Sequence, residues 1–222
     1  MKIIKDIQYY YWASFRRKLL DEYQETYKST YKGVVLDIGG RDRGKFEKPK
    51  NAVTKWIFAD ISPDNKPDIV LDITKMNMIE NNSIDVISAM EVFEYVERIG
   101  DALAECHRVL KKNGKIILSI PFLHPIADDP CDLQRWTKSM WKKQLVKAGF
   151  EIEIIHEMGY FFTVLAELIK LGNKSFKYGK YLGYPFYPVL SIMAKLDKLN
   201  IIKKNKSLKL FTTGYFMIAK NS

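Results

Sequence analysis

The chain has 222 residues, of which 47% are apolar and 28% charged, a balance that excludes an intrinsically disordered protein and suits one folded domain. Two cysteines are too few for a disulfide framework, and the longest apolar runs fall far short of the roughly 20 residues of a membrane-spanning helix. Charges scattered through residues 1–23 are not typical of a signal peptide, so these features together predict a cytoplasmic protein.

The predicted elements alternate along the chain between strands and helices. A helical segment over residues 3–28, with apolar residues at helical spacing, comes first. Seven strands are predicted at residues 32–38, 55–60, 68–72, 83–90, 114–122, 150–158 and 212–220. Two helices are predicted between the later strands: residues 98–112, stopped by Asn113-Gly114, and residues 137–149, capped by Thr137 and stopped by Gly149. Such alternation predicts an α/β fold whose mostly parallel sheet is covered on both faces.

The predicted domains are an N-terminal helical segment, residues 1–32, and a second domain, residues 33–222. The second domain includes an insert at residues 160–209 that is predicted to be helical and is rich in aromatic and basic residues. Residues 170–222 hold eleven lysines and one acid, a net charge of +10 that equals the net charge of the whole chain. The chain before residue 170 is therefore electrically balanced.

The loop GVVLDIGGRDRGKF, residues 33–46, follows the first predicted strand, where parallel sheets bind ligands. A dinucleotide site requires Gly-x-Gly-x-x-Gly, but Arg41 stands two residues after Gly39. A P-loop requires Ser or Thr after Gly-Lys, but residues 44–46 are Gly-Lys-Phe. Since Asp37 would also repel phosphates, both phosphate-binding interpretations are disfavoured.

Aspartates end three of the predicted strands, at Asp37, Asp60 and Asp72. S-adenosylmethionine (SAM) is a ligand without phosphates that carries an ammonium and a sulfonium, and Asp37 suits that cationic end. Asp60 can accept from two ribose hydroxyls, and Asp72 can accept from the adenine amino group. The alternative for Asp60 and Asp72 is that they only cap the ends of their strands.

Longer segments resemble the class I SAM-dependent methyltransferases, in particular their type 11 branch, over about residues 33–160 and again at the last strand. The matching segments, in the family's order, are VVLDIGG, FADIS, LDIT, SIDVISAMEVFEYV and ALAECHRVLKKNGKIILSIPF. The chain departs from the family's D-x-G-x-G-x-G loop at Arg41 and Arg43, and Tyr95 replaces a common histidine. The segment HPIADDPCDLQRWTKSMWKKQLVKAGFE resembles members that occur among surface-polysaccharide genes, which points to polysaccharide biosynthesis.

This resemblance implies a Rossmann-like sheet of seven strands, six of them parallel and the last antiparallel, with SAM lying across the first four strands. The implied cofactor-binding residues are Asp37, Gly39, Gly40, Asp60, Ile61, Asp72, Ile73, Met90 and Glu91. Ile61 and Ile73 are expected to flank the adenine. The backbone of Met90 and Glu91 is expected to touch the cofactor.

Candidate residues for the methyl acceptor follow the fourth and fifth strands. His124 is the predicted catalytic base, because imidazoles titrate near neutral pH, and the alternative is a solvated loop histidine. The predicted substrate-binding residues are Tyr95, Asp129, Arg135 and Trp136. Arg135 either holds an acidic acceptor or pairs with Asp132, and Tyr95 either lines the pocket or packs in the core. No histidine, cysteine and carboxylate cluster has metal-ligand spacing, so no metal is expected.

The insert leaves three interpretations open: a helical lid with a solvated lysine face, a peripheral contact with an anionic membrane, or a nucleic-acid surface. Its scarcity of arginine disfavours nucleic acid. Two hypotheses for the whole chain follow. The first is a SAM-dependent methyltransferase acting on an oxygen, or less favourably a nitrogen, of a small-molecule, sugar or lipid-linked acceptor. The second is a catalytically inactive methyltransferase-like module that docks on a membrane or a protein partner.

Overall fold

The structure, a computed structural model, describes residues 2–40, 44–128, 130–174 and 179–222, without the side chains of residues 2–5, 174 and 179–184. Its helices are α1 (Lys2–Trp12), α2 (Phe15–Thr26), α3 (Ile99–Val109), α4 (Lys138–Lys147), α5 (Phe161–Lys174), α6 (Gly179–Lys195) and α7 (Asn200–Lys204). Its strands are β1 (Gly33–Ile38), β2 (Val53–Asp60), β3 (Ile69–Val70), β4 (Ile84–Met90), β5 (Leu110–Pro121), β6 (Phe150–Glu157) and β7 (Gly214–Asn221).

The seven strands form one sheet in the order β3-β2-β1-β4-β5-β7-β6. The pairs from β3 through β5 are parallel, and β7 runs antiparallel to both β5 and β6. The predicted fold class, a Rossmann-like sheet with six parallel strands and an antiparallel last strand, is therefore confirmed. The strand order reverses between β1 and β4, and a crevice for a ligand forms at the carboxyl ends of such strands.

Apolar side chains cover both faces of the sheet. On one face Leu36 and Ile87 belong to a buried cluster with Leu103 of α3 and Trp141 of α4. On the other face a second buried cluster joins Leu20 of α2 to residues of β1, β4, β5 and β7. Because α2 covers this second face, the N-terminal segment lies close to the ends of the central strands.

Two helix boundaries differ from the predictions. The helical segment 3–28 breaks at residues 13–14, where the Ser14 hydroxyl accepts from the Arg17 N–H at 3.0 Å and caps α2. The helix predicted over residues 98–112 ends at Val109, and β5 begins at once. The carbonyl of Leu110, the first residue of β5, accepts a hydrogen bond from the Asn221 side-chain amide at 2.9 Å. Because Asn221 is distant from Leu110 in the sequence, no local pattern reveals this contact. The Thr137 cap and the Gly149 stop, at φ +90°, are confirmed.

The described part of the insert is helical, as predicted, and contains α5, α6 and α7. It packs on the N-terminal helices, where Phe15, Ala166, Tyr187 and Leu190 form a third buried cluster. Lys170 of α5 is buried and donates to the Ala13 carbonyl at 2.5 Å, at the break between α1 and α2. No described helix is long and apolar enough to cross a lipid bilayer. The division of the chain at residues 32 and 33 stays a prediction.

Candidate active site

A cleft of about 750 Å³ opens at the carboxyl ends of β1, β2 and β4, a volume that suits a small-molecule ligand. It lies where the strand order reverses, between β1 and β4. All nine predicted cofactor-binding residues line it, together with Tyr95: Asp37, Gly39, Gly40, Asp60, Ile61, Asp72, Ile73, Met90 and Glu91. The fold therefore brings the predicted set together, while the role of each residue stays a prediction.

Asp37 is buried at the end of β1 and is held by two donors from the neighbouring segment. Trp56 Nε1 donates to its carboxylate at 3.0 Å, and Lys48 Nζ lies 3.0 Å from the same oxygen. A Cβ atom added to Gly40 would lie 2.1 Å from the Asp37 carboxylate. Gly39 has φ +65°, a conformation that favours glycine. Both glycines are thus required by the close turn around Asp37.

The other two aspartates each use one carboxylate oxygen on their own loop. Asp60 Oδ1 accepts from the Ser62 N–H at 2.9 Å, and Asp72 Oδ1 accepts from the N–H and the hydroxyl of Thr74, both at 2.8 Å. These local bonds are the capping interactions that were the alternative for both residues. They involve one oxygen of each carboxylate, so a ligand in the cleft can bind the second oxygen.

Glu91, at the edge of the cleft beyond β4, has φ +59°, which is strained for a residue with a side chain. Its N–H donates to the Ser119 carbonyl at 3.0 Å, and its carboxylate accepts from the Ser119 hydroxyl at 2.7 Å. The same carboxylate forms a buried ion pair with Arg16 of α2. Burial opposes ionisation, but the Arg16 and Arg17 guanidinium groups and the Ser119 hydroxyl together outweigh it and lower the pKa of Glu91.

Glu94 is a second buried carboxyl group, three residues further along the chain. Burial, reinforced by the nearby charge of Glu91, raises the pKa of Glu94 to about 9. Its Oε2 atom is buried and has no hydrogen-bond partner among the described residues. Near neutral pH this pair of glutamates therefore consists of one ionised carboxylate, Glu91, and one neutral acid, Glu94.

The N-terminal helices hold the loop that follows β1. Asp21 of α2 accepts from the Lys45 N–H at 2.8 Å and from the Tyr9 hydroxyl, while the Lys45 ammonium pairs with Asp6. A Cβ on Gly44, where φ is +91°, would lie 2.4 Å from the Asp21 carboxylate. Acidic side chains thus contact the positions that a P-loop would offer to phosphate, which argues further against that interpretation.

Three predicted acceptor residues beyond β5 that the structure describes, His124, Arg135 and Trp136, do not line the cleft. His124 lies beside it, with Nδ1 3.4 Å from Glu167 Oε1, and its loop continues to Ala127 and Pro130, which do line the cleft. Arg135 pairs with Asp132, the alternative left open by the sequence, with Nε 3.1 Å from Oδ1.

Trp136 packs against Trp141 at a ring distance of 5.0 Å, next to the main core. Asp129, as well as Arg41 and Arg43, lies outside the described residues. The substrate-binding roles of these residues remain predictions.

Sequence reasoning missed five residues that the fold brings to the site: Arg16, Arg17, Lys48, Trp56 and Glu167. Arg17, Lys48 and Trp56 line the cleft, whereas Arg16 and Glu167 lie behind its edge. Of these five residues, only Trp56 could have been identified from a local sequence pattern, because it precedes Asp60 in the same strand. Within the described part of the chain, no three His, Cys, Asp or Glu side chains are grouped so as to hold a metal ion.

Residues 48–118 match the model of a family described as a methyltransferase domain. The match includes Asp60, Asp72, Met90 and Glu91, and it begins after the loop that contains Asp37. Among curated proteins, none matches the chain.

Solved structures share the fold of this chain. A SAM-dependent methyltransferase from Archaeoglobus fulgidus is 16% identical, with 92% of this chain and 94% of that protein covered and a TM-score of 0.56. The cyclase SpnF is 16% identical over 90% of this chain and 80% of that protein, with a TM-score of 0.58. Phosphoethanolamine N-methyltransferase 2 from Haemonchus contortus, solved with SAM, is 14% identical over 85% of this chain and 48% of that protein, with a TM-score of 0.52.

Proposed function

We propose that this chain, which has the class I methyltransferase fold and belongs over residues 48–118 to the methyltransferase domain family, is a SAM-dependent enzyme that methylates an oxygen nucleophile. The observation that carries the proposal is the convergence of Asp37, Asp60 and Asp72, from three strand ends, on one cleft. Because the cyclase SpnF shares this fold, the fold alone does not determine the reaction, and the proposal depends on the residues of the cleft.

The residues of the cleft fit the cofactor. The backbone at Gly39 and Gly40 stays open to a ligand because no side chain fills the turn, and Asp37 offers a carboxylate to the ammonium. Asp60, Asp72, Ile61 and Ile73 line the same cleft, and we expect Asp60 to accept from the ribose hydroxyls and the other three to contact the adenine. SAM supplies an electrophilic methyl group on a sulfonium, so the remaining task of the protein is to align and deprotonate the acceptor.

An oxygen acceptor is favoured over nitrogen because a hydroxyl needs a base and His124 lies beside the cleft on the loop that lines it. The resemblance of residues 124–151 to methyltransferases of polysaccharide gene groups favours a sugar, free or lipid-linked. We refer to α2, α5 and the described residues 122–128 and 130–135 of the loop that contains His124 as the acceptor wall.

The proposal is tested by transfer of a labelled methyl group from SAM into candidate monosaccharides, oligosaccharides and polyprenyl-linked sugars. We expect label in a base-stable ether, or a base-labile ester where the acceptor is a uronic acid, and none with Asp60→Ala. Label that appears in amines instead would contradict the oxygen assignment. SAM binding without transfer to any acceptor class would favour the alternative, an inactive binding module.

We also propose that the insert contacts an anionic membrane from the outside. Its most exposed apolar side chains are between 60% and 75% accessible: Phe186, Val189, Ile192 and Ile201. Exposed lysines accompany them: Lys195, Lys198, Lys203, Lys204, Lys206 and Lys209. Apolar anchors beside lysines are the composition that binds an anionic bilayer surface.

The one acidic residue between residues 170 and 222, Asp197, does not offset the positive charge at the surface. Asp197 is buried and accepts from the backbone N–H groups of Tyr160 and Thr163, at 2.8 and 2.9 Å, where it caps the start of α5. Lys198 pairs with Glu22 at 3.2 Å, on α2. Six of the eleven lysines of residues 170–222 are therefore exposed in the described part of the chain without a nearby exposed acid from the same residues.

Sedimentation with phosphatidylglycerol vesicles tests this contact. We expect binding that weakens with salt, and a loss of about tenfold or more when Lys203 and Lys204 are both replaced by Glu. The matched control replaces Lys142 and Lys143, an exposed pair on α4, by Glu and is expected to bind normally. The proposal would be contradicted if the wild type did not bind the vesicles, or if both double variants lost vesicle binding equally.

A further inference from the structure

We propose that Glu167 of the insert is the positioning residue for His124, fixing the imidazole with its proton on Nδ1 so that Nε2 is the free, basic nitrogen. The inference rests on the proposed function, because that function assigns His124 the role of catalytic base. It adds a residue from α5 to a site that the sequence motifs place between residues 37 and 136.

Glu167 is completely buried, and its two carboxylate oxygens face different partners. Oε1 lies 3.4 Å from His124 Nδ1, and neither of these buried atoms has a hydrogen-bond partner among the described residues, which leaves each available to the other. Oε2 accepts from the Phe15 N–H, the first of α2, at 2.7 Å. Because one oxygen is anchored by the backbone of a helix start, the other is held in a fixed direction toward the imidazole.

The surroundings keep Glu167 ionised. Burial alone would favour the neutral acid, but His124, the Phe15 N–H and the nearby charge of Arg16 together lower the pKa of Glu167. The helix dipole at the start of α2 also favours negative charge at this point. An ionised carboxylate accepts only, so its neighbour His124 Nδ1 must donate.

A histidine that donates through Nδ1 to a carboxylate has Nε2 available to accept a proton, the arrangement that serves a base. Arg16 connects this pair to the cleft, since it interacts with Glu167 and forms the buried ion pair with Glu91 at the edge of the cleft. The pair thus belongs to the acceptor wall and adjoins the end of β4, where the predicted cofactor contacts lie.

The other two histidines have different surroundings. His156 Nε2 is hydrogen-bonded to the Tyr27 hydroxyl at 2.7 Å, its ring stacks on Tyr23, and burial lowers its pKa. His107 contacts Phe150 edge to face at 5.6 Å on the far helix α3. Of the three histidines of the chain, His124 is therefore the one that faces a buried carboxylate.

Nitrogen-15 NMR of the imidazoles tests the inference without any acceptor. With three histidines, each ring is assigned from a single His→Gln variant. At a pH where the rings are neutral, we expect wild-type His124 to show a protonated Nδ1 and an unprotonated Nε2. Glu167→Gln retains an acceptor oxygen and should keep this tautomer, whereas Glu167→Leu should shift His124 toward protonation at Nε2, the form that free imidazole side chains prefer.

The matched control is Glu157→Gln, which changes a glutamate beside His156 and should leave the His124 signals unchanged. Wild-type His124 protonated on Nε2, or an identical tautomer in the wild type and Glu167→Leu, would overturn the inference. If Glu167→Leu fails to fold, the spectra of the wild type and of Glu167→Gln still show whether His124 carries its proton on Nδ1 or on Nε2. The tautomer is measured in the absence of SAM, so a wild type that failed to bind SAM would refute the proposed function separately.

Discussion

The cleft and the acceptor wall differ in the sequence distance that their contacts span. In the cleft, Asp37, Asp60 and Asp72 follow successive strands of one continuous stretch and each is bonded within its own neighbourhood. In the acceptor wall, Arg16 meets Glu91 across 75 residues and Glu167 meets Phe15 across 152. The cofactor half of the site is therefore encoded locally, whereas the acceptor half exists only in the folded chain.

The largest expected effect on stability comes from replacing Arg16, which joins the acceptor wall to the edge of the cleft. Arg16→Met removes the partner of Glu91 and leaves a buried carboxylate uncompensated, which costs about 3–5 kcal/mol in the free energy of unfolding. Urea unfolding measures the loss. As a control, Arg98→Met breaks the exposed pair with Asp101 and should cost under about 1 kcal/mol. Equal costs for the two variants would mean that α2 and β4 are not coupled through this ion pair.

Gly40→Ala sharpens the description of the cleft. The added Cβ would displace the Asp37 carboxylate from Trp56 and Lys48, because it lies 2.1 Å away in the present arrangement. We expect SAM affinity to fall about tenfold or more, equivalent to about 1.4 kcal/mol, in calorimetry. A Cβ on Gly100 of α3 meets no atom within 4 Å, so Gly100→Ala should bind SAM normally. Unchanged SAM affinity in Gly40→Ala would contradict the inference that the turn around Asp37 requires glycine at residue 40.

Glu94→Gln tests the electrostatics between the two regions. With a pKa of about 9 in the folded protein against about 4.5 when unfolded, Glu94 retains a proton that the unfolded chain releases between these values. Wild-type stability should therefore fall as pH rises from 5 to 9, and Glu94→Gln should lack this contribution. The variant should match the wild type near pH 5 and exceed it by about 1 kcal/mol or more at pH 8.

Thermal unfolding across this pH range measures the difference. Glu97→Gln, an exposed acid on the same segment, should track the wild type at every pH. A constant offset between Glu94→Gln and the wild type would contradict a neutral Glu94.

The sequence predicted the parts of the molecule that depend on short-range patterns. The seven strands, the Thr137 cap and the Gly149 stop follow from residues near each other in the chain, and they are confirmed. The resemblance predicted over about residues 33–160 and the last strand is matched by the methyltransferase domain model over residues 48–118. The assembly of the nine cofactor residues around one cleft follows for the same reason, since parallel strands end at the same edge of the sheet.

The sequence could not predict features that distant contacts create. The strained backbone of Glu91 is held by Ser119 and Arg16, and the end of α3 is displaced by Asn221. Glu167 carries no motif, because its partners lie near the start of the chain and after β5. Each of these residues has an ordinary local environment in the sequence, so only the contacts of the folded chain identify them.

Calorimetric titration of SAM into the wild type, Asp60→Ala and Asp64→Ala tests most directly whether the strand-end carboxylates form a SAM site. Asp64 is an exposed acid four residues beyond Asp60 and serves as the matched control. The account predicts saturable binding to the wild type and to Asp64→Ala, and a loss of about tenfold or more in Asp60→Ala. No binding to the wild type, or equal affinity in all three proteins, would contradict it.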